Sequence, residues 1–194
     1  MKPLSLQRNL SVALVTSVSI FATSLPLSAS VIAPAPELRL RPAQGLILPP
    51  TLIASDAATA KIIKPLVETD KNCEPIPFEY RLDCVLQGYK QAVRNTPNNR
   101  DYRAMKSDLS IAQRKLNRLV KANLDKEAPP LKVGNKTYRA VKKNVAESLN
   151  AQATQILEET ATKLIRSAGS SKKRQIHYAR VADAVHSNKK IFRS

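Results

Sequence analysis

Four stretches of the chain repeat apolar residues at helical spacing, and the first three are closed by residues that favour turns or cannot continue a helix. From Glu79 to Arg94 the positions Leu82, Val85, Leu86, Tyr89, Ala92 and Val93 recur three or four apart, predicting a first helix with Cys84 in its opening turns. The run Asn95-Thr96-Pro97-Asn98-Asn99 ends it, because Pro97 cannot extend a helix and asparagine favours turns. Residues 101–124 carry the strictest pattern. There Tyr102, Met105, Leu109, Ala112, Leu116 and Leu119 form a two-per-heptad stripe of the kind bundles and coiled coils use. Opposite that stripe Arg103, Arg114 and Lys121 share one face, flanked by Lys106 and Arg118.

Pro129-Pro130 stop this helix. Residues 131–141 then roughly alternate around Gly134-Asn135, predicting a small β-hairpin that must lean on the helices, since a lone hairpin is marginal in water. Asn135-Lys136-Thr137 is also a glycosylation sequon, of consequence only in a eukaryotic host. A third helix is predicted over 145–166, opened by Asn144 and Glu147 as an asparagine form of the capping box, with Leu149, Ala153, Ile156, Leu157, Thr160 and Leu164 buried. Ala168-Gly169-Ser170 ends it. A last helix over 174–187 should bury Ile176, Ala179, Ala182 and Val185, leaving a basic tail with Phe192 as a docking residue.

The chain ahead of these helices is of a different kind. Residues 1–30 read as a cleavable signal peptide: Lys2 and Arg8, an apolar run from Leu10 to Phe21, a break at Pro26, and small residues at Ser28-Ala29-Ser30 with cleavage after Ser30. The apolar run is about twelve residues, short of the roughly twenty that span a bilayer. Residues 31–70 read as a Pro-rich extended linker, with Pro34, Pro36, Pro42, Pro49 and Pro50 forcing extended backbone. Within it Ala57 to Val67 could form a short helix, weakened by Pro65. The expected folded part is thus a basic helical domain over 71–194.

Composition narrows the fold class to mainly α: a small three- to four-helix bundle with a short β-hairpin insertion, one disulfide and a Pro-rich N-terminal extension. Four glycines are too few for many tight β-turns, and the absence of Trp points to an aliphatic core. Cys73 and Cys84 are the only cysteines, and in an exported chain an even count reads as a disulfide. Their spacing matches neither a C-x-x-C redox pair nor a four-ligand zinc site.

Charge then bears on function. Residues 31–70 are neutral, whereas residues 71–194 hold 26 bases and 11 acids, a net of +15. Such a domain is attracted to polyanions. Catalytic patterns are lacking: His177 and His186 are nine positions apart and face opposite ways on a helix, Glu158-Glu159 diverge, and no glycine-rich phosphate loop occurs. The reading is an exported, periplasmic or secreted non-enzymatic protein binding an anionic envelope component or an acidic protein partner, with no cofactor, metal or small-molecule substrate evident. The candidate binding residues are Arg103, Arg114, Arg118 and Lys121; Lys142 and Lys143; and Lys172, Lys173 and Arg174. Peripheral membrane contact and oligomer formation stay open, while too few aromatics interleave with the bases to favour nucleic acid. An alternative is an assembly accessory using the 102–119 stripe as a seam for a partner or a second copy; a further one is an enzyme whose site converges from dispersed residues.

Overall fold

The computed structural model describes residues 54–193; the predicted signal peptide and most of the Pro-rich segment lie outside them. Its first element corrects the expected boundary at residue 71. Helix α1 spans Asp56–Cys73 and is part of the core, with Ile62, Leu66 and Cys73 fully buried. Ser55 caps it by accepting from the Ala58 N–H. Pro65 lies inside this helix and is buried. A mid-helix proline removes the bond to the carbonyl four residues back, here Lys61. The Asn95 carboxamide supplies the missing donor from the end of the next helix, at 2.8 Å from the Lys61 oxygen. The long-range bond explains why the helix survives its proline.

Helix α2 (Phe78–Asn95) returns antiparallel to α1, and the Cys73–Cys84 disulfide joins the two across a Cα separation of 5.7 Å. Helix α3 (Arg103–Ala122) follows after a turn in which the Asn99 side chain accepts from the Asp101 and Tyr102 N–H groups. Most of its stripe is consumed inside the protein: Tyr102, Met105, Leu109, Ala112 and Leu116 are all at 0% exposure and offer no seam to a second chain, while Leu119 is half-buried and Val120 takes its place in the core. Tyr102 also ties α1 to α3, its Oη bonding both the N–H and the carbonyl of Ser55 and the Thr59 hydroxyl.

The hairpin forms as predicted, with strand β1 (Leu131–Val133) antiparallel to β2 (Lys136–Tyr138). Of its two turn residues only Gly134 has positive φ, +59°, the place where a type II′ turn demands it. Helix α4 (Lys143–Ser167) starts earlier than expected. Lys142 is its N-cap, no side chain caps it, and Asn144 is inside the helix, so the predicted capping box is not used.

Helix α5 (Lys172–Ser187) is capped by Ser171 and rotated from the predicted phase. It buries His177, Tyr178, Val181, Ala182, Ala184 and Val185, while Ile176 is 61% exposed and Ala179 faces solvent. The His177 Nδ1 lies 2.9 Å from the Thr59 hydroxyl, which closes α5 back onto α1. The tail is a 3-10 turn (Asn188–Phe192) whose Ile191 and Phe192 enter the protein's own core. Successive helices thus pack in a ring from α1 to α5 and back, with α2 also touching α4.

The core is less aliphatic than composition suggested. All five tyrosines are buried, and Tyr89, Tyr102, Tyr138 and Tyr178 are among its largest side chains. The α1–α2 contact is tightest at Gly88. A Cβ there would meet Thr69 Oγ1 at 1.7 Å and Thr69 Cβ at 3.0 Å. Thr69 has little freedom to retreat, since its hydroxyl donates to the Pro65 carbonyl at 2.7 Å. Gly88→Ala should therefore destabilise by about 2 kcal/mol, because overpacking outweighs the roughly 1 kcal/mol that alanine gains in helix propensity. Urea denaturation in a Thr69→Ala background should recover about half of that loss; strict additivity would refute the contact as its cause.

Candidate functional site

Where α1, α2, α3 and the hairpin meet, they line an open groove of about 1080 Å³. Its lining follows from helical periodicity. Residues four apart share a helix face, and three adjacent helices each present such a row. Lys64, Glu68 and Asn72 come from α1; Gln87, Gln91 and Asn95 from α2; Gln113, Asn117 and Lys121 from α3. Lys90 and Arg94 also line it from α2. Gly88 and the Cys73–Cys84 bridge also line it, and Lys136 to Arg139 add a wall from β2 and the residue that follows it.

Asp83 anchors that wall. It is 1% exposed, and its carboxylate accepts from the Arg139 N–H at 3.0 Å and from Arg139 Nη2 at 2.7 Å. Gln87 Nε2 donates to the Thr137 carbonyl at 2.7 Å and thereby holds β2 against α2. Burial, and then the Asp83 charge, push the Tyr138 hydroxyl above its ordinary range, so it stays protonated.

The rows divide into committed and free side chains. Gln91 accepts from Arg94 and donates to Asn95, which is itself spent on Lys61. By contrast Asn72, Gln113, Asn117, Lys90, Lys121 and Lys136 make no side-chain hydrogen bond or ion pair among the described residues. The groove holds six cations (Lys64, Lys90, Arg94, Lys121, Lys136, Arg139) against two carboxylates (Glu68, Asp83). It is a cationic, carboxamide-rich surface with few apolar side chains.

Of the nine residues singled out from sequence, only Lys121 lines this groove. Arg103, Arg114 and Arg118 are exposed on the outer face of α3. Lys142 and Lys143 open α4 beside the end of α3, the Lys142 N–H bonding the Asn123 carbonyl, and Lys143 pairs with Glu79 at 3.4 Å. Lys172, Lys173 and Arg174 are in the first turn of α5, which starts two residues before the predicted 174. The nine therefore do not converge. The carboxamides were missed because they carry no charge, although their four-residue spacing was present in the sequence.

The adjacent glutamates and the two histidines lie away from this groove. Glu158 pairs with Lys189 and Glu159 with Lys115, each at 2.7 Å, and those lysines hold both carboxyls below their ordinary range. His177 is bonded inside the core and His186 is exposed. Among the described residues no cluster of three or more His, Cys, Asp or Glu could hold a metal ion, and no helix is long and apolar enough to cross a membrane. The chain matches no known protein family, no curated protein and no solved structure at a significant level.

Proposed function

We propose that this is an exported, non-catalytic binding protein whose groove between α1, α2, α3 and the hairpin takes an anionic ligand of the cell envelope. The observation that carries this reading is the convergence of three lysines, Lys90, Lys121 and Lys136, unpaired among the described residues, on one concave surface. Concavity matters because field lines focus in a cleft, whereas charges on a convex helix face are screened over about 8 Å at physiological salt. The leader-like residues 1–30 and the Cys73–Cys84 bridge support export.

Inorganic polyphosphate is a suitable probe, being a polyanion with no other recognisable chemistry. Lys90→Glu/Lys121→Glu/Lys136→Glu should weaken its binding at least tenfold by titration calorimetry at physiological salt. Arg103→Glu/Arg114→Glu/Arg118→Glu, an equal change of charge on the outer face of α3, should weaken it less than threefold. Equal losses from both variants would mean that net charge alone attracts the probe, and the groove would have no special role.

A further inference from the structure

From the same groove, and resting on the reading of it as an anion site, we infer the class of its ligand: an oligosaccharide that carries carboxylate or phosphate groups. The lining contains six carboxamides alongside six cations. Cations alone suffice for an anion. A carboxamide both donates and accepts, as does a sugar hydroxyl, so a carboxamide row complements a row of hydroxyls. Three of the six are uncommitted: Asn72 on α1, and Gln113 and Asn117 on α3, which flank α2 on its two sides. Gln113 and Asn117 precede Lys121 by two turns and one turn on the same face, with a rise of about 6 Å per four residues. Hydroxyl-seeking and anion-seeking groups thus follow one another along a single wall.

Other polyanions fit this lining less well. Nucleic acid bound as a single strand needs exposed aromatic faces for its bases, and Tyr138, the aromatic residue that lines the groove, is buried. An acidic peptide would use apolar anchor pockets or a free strand edge. Here the Thr137 carbonyl is already taken by Gln87, and the groove offers few apolar side chains. Acyl chains find no apolar surface of adequate extent for the same reason.

The test compares Gln113→Ala/Asn117→Ala with the parent protein against three probes: an oligogalacturonate, a phosphorylated oligomannose and inorganic polyphosphate. The variant keeps the net charge, and alanine is the best helix former, so α3 should stay folded. Affinity for the sugar probe that the parent binds should fall roughly tenfold, the effect of losing two hydrogen-bonding groups. Affinity for polyphosphate should change by less than twofold. The tighter of the two sugar probes identifies the anionic group as carboxylate or phosphate. If the parent binds polyphosphate but neither sugar, or if the variant binds sugars as well as the parent does, the carbohydrate inference is overturned and the anion groove stands. If no probe binds the parent, both fall together.

Discussion

Replacing Asp83 by alanine should cost about 3 kcal/mol of stability and loosen the hairpin from α2. The carboxylate is almost wholly buried and accepts from four donors: the Arg139 N–H, Arg139 Nε and Nη2, and Gln87 Nε2. Removing it takes the carboxylate from all four at once, although Gln87 Nε2 keeps its bond to the Thr137 carbonyl. Breaking a buried pair usually costs 3–5 kcal/mol, and the lower end applies because the Arg139 side chain is 37% exposed and can still reach water. Arg139→Leu should cost at least as much, since it leaves the Asp83 charge buried with only two of its four donors. The pair Asp83→Leu/Arg139→Leu should be less harmful than either single change, because no uncompensated charge remains. Chemical denaturation measures the energies, and hydrogen exchange at residues 131–139 should show protection lost there first. A loss below 0.5 kcal/mol for Asp83→Ala would mean that the ion pair does not hold the hairpin. Because Lys136 and Tyr138 line the groove from β2, polyphosphate affinity should fall with it.

Where apolar periodicity alone decides a helix, the sequence was sufficient. The α3 stripe is strict, and five of its six residues, Tyr102, Met105, Leu109, Ala112 and Leu116, are fully buried; only at its end does Val120 replace Leu119. Helix α1 was read only as a short helix over 57–67 because its interior proline violates a local rule, and the compensation comes from Asn95, thirty-four positions from the Lys61 carbonyl it bonds. The phase of α5 was misread for a related reason. Ile176 and His177 are adjacent, so they differ by about 100° around the helix, and hydropathy chooses the isoleucine. The fold chooses the histidine, because the Thr59 hydroxyl meets its ring. The groove was illegible for a third reason. A charge count finds lysines and arginines wherever they lie, including the convex face of α3, but it is silent about concavity and about neutral carboxamides. Lys121 alone belonged to both patterns.

Removal of the disulfide brings these strands together, and Cys73→Ala/Cys84→Ala should lower stability by about 2–3 kcal/mol. The bridge closes a loop of sequence separation 11, for which the chain-entropy relation gives nearly 3 kcal/mol. Pro75 and Pro77 already stiffen that loop in the unfolded chain, which lowers the figure, while two vacated core positions raise it. For a domain of typical stability, about 5–15 kcal/mol, the loss is a large fraction of the total. Both cysteines are buried, at 0% and 3% exposure, so a thiol reductant should reach them mainly through opening of the α1–α2 hairpin. Reduction of the native protein should accordingly be slow in buffer and accelerate in moderate urea. A reducing compartment would remove this stabilisation, which is the physical argument behind the proposal of export. The groove should suffer as well, because the bridge fixes the end of α1 that carries Asn72 beside α2. A double-alanine variant within 0.5 kcal/mol of the parent, with unchanged polyphosphate affinity, would show that packing at Gly88 and the Asn95–Lys61 bond hold α1 in place without the bridge.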